Sequence, residues 1–404
     1  MRKAASLIVF LVCSLQVSGG AVDVKPVIDA QLLGGQNYYN GSASSFGGLA
    51  SLTLSPYTQF NERWSLVPLY AGNYRGTKQV TDLVGGGTLF QDSQDHTFST
   101  KLIRSFTNGL KLKAVGGYGL EWLRETKDES WTKGLYDNRR SFGGGEAEWS
   151  WDKDRYVRLA YDYYRIRFPN YQSLESGQVN NGLGRELSQP NVLDNSNHAL
   201  TLGARVGLPG DGYADLSANY TFRQYGQQNL VNAAGALVAD TRHDKVQTLS
   251  AQGTWPVYLG ATKRLFTSVG YTWTHLYSDQ NHYDTNQVFF NPDYYAYIQN
   301  TVTNQWTLLM GDTADPWALN LNGSLSRQKY SDRLVQNATG VFGSDLTRVD
   351  AAYVGVGFSY PIAKGFHLIA NTYFGWNDSN NTYNALYQYH YNTQTYLMGF
   401  SYAY

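Results

Sequence analysis

Large apolar residues alternate with small or polar ones along most of this chain, with a period of two. In residues 395–404, Tyr396, Met398, Phe400, Tyr402 and Tyr404 share one parity, and Leu397, Gly399, Ser401 and Ala403 the other. That period belongs to a β-strand whose two faces meet different surroundings. In 213–225, Ala214, Leu216, Ala218, Tyr220 and Phe222 oppose Asp215, Ser217, Asn219, Thr221 and Arg223. In 317–330, Trp317, Leu319, Leu321 and Leu325 oppose Asn320, Asn322, Ser324 and Ser326. Phe366, Leu368, Ala370, Phe374 and Trp376 form one stripe of 365–377. The pattern predicts sixteen strands, at 26–36, 49–60, 63–76, 96–107, 110–125, 139–151, 155–168, 198–208, 213–225, 245–256, 263–276, 300–310, 317–330, 348–361, 365–377 and 393–404.

The connections alternate in length. Asn61-Glu62, Asn108-Gly109, residues 152–154, residues 209–212 and Ala363-Lys364 read as tight turns, and 257–262 and 311–316 are slightly longer. Between them lie polar segments at 37–48, 77–95, 126–138, 169–197, 226–244, 277–299, 331–347 and 378–392. Short turns at one end and long loops at the other predict a succession of hairpins in which every strand neighbours the next.

Composition narrows the choice of surroundings. Charged residues make up only 16% of the chain, yet mean hydropathy is −0.42. The polarity comes from neutral side chains and glycine, with 33 Tyr, 10 Trp and 41 Gly. This suits a wall with one wet face and with aromatic girdles at two interfaces. Trp64, Trp149, Trp151, Tyr156, Phe168, Tyr225, Trp255, Trp317, Tyr360 and Trp376 sit near predicted strand ends and read as those girdles. Residues 1–21 read as a secretory signal: basic Arg2 and Lys3, an apolar run at 4–17, and small residues before a cut after Ala21. The only cysteine, Cys13, lies inside it, so the mature chain is expected to carry no thiol. Loss of Arg2 and Lys3 leaves 30 basic against 32 acidic residues, a balance that excludes a nucleic-acid binder. No stretch approaches the roughly 18 apolar residues of a membrane helix.

The final aromatic strand, the alternating connections and the signal together resemble the bacterial outer-membrane β-barrel class, porin-like in plan. The resemblance implies an all-β fold, a closed antiparallel transmembrane barrel of about sixteen strands (14–18) in one domain, 22–404. It implies short periplasmic turns, long extracellular loops, an outer-membrane location after export, and contact with outer-membrane lipid and lipopolysaccharide. Phe400, Tyr402 and Tyr404 match the ending that the barrel assembly machinery reads in that class. The competing architecture is a soluble β-sandwich, in which the apolar faces turn inward.

Parity then assigns a lumen-facing set: Lys111, Lys113, Glu121, Glu146, Glu148, Arg158, Asp162, Arg205, Asp215, Arg223, Asp350 and His367. Such residues either pair across strands and stiffen the wall or set up a transverse field that orients polar solutes. The later strands offer Thr303, Gln305, Thr307, Asn320 and Asn322, so strong ion selectivity is not expected. Arg165 and Arg167 share the lipid-facing parity, where they meet lipid phosphates or reach past them to water. Segment 169–197 either folds inward as a constriction or stays outside as a surface loop.

The histidines show no metal-ligand spacing within one element, and no nucleophile motif accompanies them. Gly85–Gly87 and Gly143–Gly145 lack a P-loop lysine. No catalytic residue, metal or cofactor is expected, and the chain does not read as an enzyme. The function expected is a hydrated, weakly selective channel for passive diffusion of small polar solutes. The alternative is an export or scaffold barrel for a polysaccharide, a polypeptide or a partner protein, working with separate periplasmic components.

Overall fold

The computed structural model describes residues 22–81, 88–124, 129–152, 154–171, 184–187, 190–285, 287–312, 314–383 and 389–404. The signal read at 1–21 and the run Gly85–Gly87 lie outside them. Among the described residues, sixteen long strands form one antiparallel sheet that closes on itself. They are β1 (Ile28–Tyr39), β2 (Ser42–Leu54), β3 (Trp64–Thr81), β4 (Thr88–Ser105), β5 (Leu110–Arg124), β6 (Asn138–Asp152), β7 (Arg155–Arg167) and β8 (Asn195–Leu208). The second half comprises β9 (Gly212–Val231), β10 (Leu237–Tyr258), β11 (Lys263–Ser278), β12 (Tyr297–Met310), β13 (Trp317–Gln336), β14 (Phe342–Ala363), β15 (Phe366–Ser379) and β16 (Tyr391–Ala403). Closure comes from β16 against β1, in register from Asp29↔Ala403 to Tyr39↔Thr393. A closed ring has no free edge, so backbone donors and acceptors are satisfied within the wall.

The apolar parity faces outward. Leu202, Leu249, Leu325 and Met398 are 52, 51, 65 and 58% exposed, and Leu216, Tyr220 and Phe400 stand on the same side. A soluble sandwich would pack these residues against one another in a dry interior. A continuous apolar band around a closed, internally bonded wall is instead matched to lipid. The wall spans a bilayer.

The strands run further than the alternation does at the loop end. β9 and β10 continue as a ribbon to Val231↔Leu237, and β13 and β14 to Gln336↔Phe342. Beyond the bilayer both faces of a ribbon meet water, so the ladder persists while the apolar parity disappears. The expected long loop at 37–48 is not formed either. β1 and β2 are joined by Asn40 (φ 47°) and Gly41 (φ 80°), with Tyr39 opposite Ser42. Two successive positive φ values make a type I′ turn, which Asn-Gly favours because neither position then carries a β-branched or bulky side chain. At the short-turn end the predicted strand 49–60 breaks at Pro56. Tyr57–Gln59 then resumes the same register, opposite Asp23–Lys25 on one side and Ser65 and Leu66 of β3 on the other. Proline supplies no N–H to the ladder, which accounts for the break.

Candidate functional site: the lumen wall and its outer mouth

The inward parity brings most of the predicted charges together on β5–β9. Lys113 bridges Glu146 at 2.6 Å and Glu148 at 2.5 Å, and Lys111 reaches Glu148 at 3.1 Å. Arg158 lies 3.7 Å from Glu146. Arg205 grips Asp215 through both ends of its fork, at 2.7 and 2.8 Å. Glu121 accepts from Asn138 at 2.6 Å. Asp162 sits over Gly144, where a Cβ would stand 2.1 Å from its carboxylate oxygen. That contact gives Gly144, the middle glycine of the run 143–145, its reason: a lumen-facing side chain of the neighbouring strand occupies the space. Arg223 donates to Asn197 at 2.9 Å and lies 3.7 Å from Asp244. His367 sits near the short-turn end, 2.9 Å from Asp315 and 3.1 Å from Ser359.

Asp350 differs. It pairs directly with Arg327 and stands in the same row of β14 as Val354 and Val356, on the outward face. Arg327 and Arg348 contact it at 2.6 and 2.9 Å. It lies at the loop end of its strand, above the apolar band, where an outward charge costs little. Two of the expected girdle aromatics are corrected as well. Tyr156 and Tyr225 face inward, against the guanidinium groups of Arg205 (5.7 Å) and Arg242 (4.6 Å). A strand-end position alone does not say which face an aromatic takes.

Across the ring, β10–β15 present mainly hydroxyls and amides. Thr254 meets Ser268 at 2.8 Å, and Thr307 donates to Asn320 at 2.8 Å. Arg158, Arg205, Asp215, Ser217, Gln252 and Thr303 help to line a wall recess of about 380 Å³. The wall is therefore ionic on one side and neutral on the other. Replacing Lys113 by Met is expected to cost about 1–2 kcal/mol, since it leaves two half-shielded carboxylates side by side in a wet lumen. The same change should draw the reversal potential towards cations. Urea unfolding from vesicles and bi-ionic recordings check the two effects. Wild-type values in both would make the bridge a bystander.

The sequence pattern did not reveal the outer mouth. The most deeply buried side chains, including Glu186, Val192, Asn197, Gln228, Asp244, Gln280, Asn291, Thr347 and Asn381, all lie at the loop ends of strands or in the loops. The Glu186 carboxylate receives the Tyr295 hydroxyl at 2.8 Å and lies 3.0 Å from His282 Nδ1. Burial, with the charge of Glu186 beside it, pushes the Tyr295 hydroxyl well above its ordinary pKa, so it stays a donor. Arg242, held by Asp244 at 2.8 and 3.0 Å, is sandwiched between the rings of Tyr225 and Tyr295. Arg333 lies over Tyr294 and Tyr330 and bonds Tyr389. Gln280 and Asn281 donate to Asn229 and Val231 backbone, and Gln287 donates to Gly340. Five hairpins are tied into one crown. Arg242, Tyr225 and Tyr330 are inward-facing, so part of segment 277–299 leans over the lumen. Segment 169–197, left open between an inward constriction and a surface loop, is described at 169–171, 184–187 and 190–197, and its Glu186 joins this crown; 172–183 and 188–189 lie outside the described residues.

No protein-family model matches the chain, and no curated protein matches it. Solved structures do. The chain is similar to OccAB1 of Acinetobacter baumannii, at 11% identity and TM-score 0.49, covering 96% of this chain and 98% of that one. It is similar to OmpT of Vibrio cholerae, an outer-membrane protein in trimer form, at 13% identity and TM-score 0.45, covering 95% and 100%. A bacterial polysaccharide outer-membrane secretin aligns at 10% identity and TM-score 0.44, covering 95% and 99%. These likenesses concern the course of the chain alone.

Proposed function

We propose that the protein is an outer-membrane channel for passive diffusion of small polar solutes, with weak ion selectivity. The observation that carries this reading is the inversion of the wall: leucines and aromatics outside, ion pairs, amides and hydroxyls inside. Sixteen strands leave room for water between the inward side chains. The charged sector on β5–β9 faces a neutral one, so a dipolar solute is oriented in transit while net charge selects little. The ending Phe400, Tyr402 and Tyr404 stands on the outward face and suits recognition by an assembly machinery.

Planar-bilayer recording of the purified protein tests the reading. Steady ohmic current that carries potassium and chloride at comparable rates is expected. A barrel that stays closed until a partner is added, or until the crown is cut away, would instead favour export or scaffolding.

A further inference from the structure

Outward charges at the loop end of the barrel differ from one part of the ring to another. On β13–β16 they are drawn into contacts with carboxylates: Asp350 lies 2.6 Å from Arg327 and 2.9 Å from Arg348, and Asp378 lies 2.7 Å from His390. On β6 and β7 they are not. Arg139 lies directly opposite Arg167, and Arg165 opposite Ser141, all on the outward face and all exposed. None of the three takes part in an ion pair among the described residues. Like charges placed directly across a strand pair repel. Immediately below them on β7 come Tyr163, Tyr161 and Leu159, each exposed on the same face. The arginines therefore stand where an apolar band gives way to headgroups.

We propose that Arg139, Arg165 and Arg167 form a binding site for the phosphate groups of a phosphorylated glycolipid in the outer leaflet. The proposal rests on the outer-membrane reading above. Guanidinium forks pair bidentately with phosphate oxygens. A dianionic headgroup turns the Arg139–Arg167 repulsion into a clamp, while its acyl chains run down along Tyr163, Tyr161 and Leu159. The β13–β16 charges, with their own carboxylates, offer no such vacancy.

The test uses folded full-length protein in detergent, titrated with diphosphoryl lipid A, its dephosphorylated counterpart or inorganic phosphate. Diphosphoryl lipid A is expected to raise the Tm of the wild type and to bind it about a hundredfold more tightly than R139Q/R165Q/R167Q. The dephosphorylated lipid and inorganic phosphate at equal concentration should leave Tm unchanged. The lysine version, R139K/R165K/R167K, keeps the charge, loses the fork and should fall between. Without lipid, R139Q alone should melt no lower than wild type, because it relieves the facing pair; this separates lost binding from lost folding. Equal binding by the wild type and the triple glutamine variant overturns the proposal. So does an equal shift with dephosphorylated lipid, or a shift with inorganic phosphate alone. A barrel that conducts yet ignores lipid A refutes this site only, whereas a chain that never inserts removes the membrane reading beneath it.

Discussion

Glu186→Ala is expected to loosen the outer crown by about 3 kcal/mol, because it strands buried donors that cannot reach water. The carboxylate is 1% exposed and accepts from Tyr295, with His282 Nδ1 at 3.0 Å. Without it the Tyr295 hydroxyl is left unpaired, and the stack of Tyr295 on Arg242 loses its outer support. Segment 277–299 should then become open to proteases, and the channel should conduct more, since part of that segment overhangs inward-facing residues. Glu186→Gln keeps an acceptor for Tyr295 and should lose less. Limited proteolysis and single-channel recording on the same preparations check this. Wild-type protection together with wild-type current in Glu186→Ala would make the crown a mere surface ornament.

The sequence and the crown are related unevenly. The wall was legible because a bilayer imposes a local rule: each residue of a strand is either in lipid or in water, and its neighbour is in the other. Leu202 and Thr201, or Leu321 and Asn322, declare their faces without knowledge of any partner strand. Above the bilayer that rule lapses. Gln228, Gln280 and Asn291 are wholly buried although they carry amides, because distant hairpins close over them. Only contacts between residues as far apart as Glu186 and Tyr295 determine that burial. Asp350 marks the boundary between the two regimes. Its parity with Val354 and Val356 already placed it outside, but a carboxylate was expected in the lumen, and a strand end lets it stay out. One missed feature did have a local signal: Asn40-Gly41, a two-residue hairpin turn concealed in a polar stretch. The lumen charges were found as residue types at the right parity, while their bonding was not. That Lys113 holds two glutamates depends on the register of β5 against β6, which no single strand reveals.

The wall itself is expected to respond most sharply to Leu202→Arg, at a cost of about 2–4 kcal/mol for a cation placed near mid-membrane on the lipid side. Leu202 lies near the middle of β8, opposite Leu159 on one neighbour and Ala218 on the other, and is 52% exposed. In lipid its replacement has no water within easy reach, and the nearest outward side chains offer no counter-charge. Thr201 is the matched control, one residue away at the same depth and on the opposite face, where it accepts a hydrogen bond from Asn219 at 2.8 Å. Thr201→Arg projects into a hydrated lumen and should cost less than about 1 kcal/mol. Urea unfolding from phospholipid vesicles measures both. The reverse order, with Thr201→Arg the severe change and Leu202→Arg the mild one, would falsify the inversion of the wall, because it would put the dry side of β8 on the inside. Two neighbouring residues thus decide whether the barrel is a water-filled conduit in lipid, without any knowledge of what passes through it.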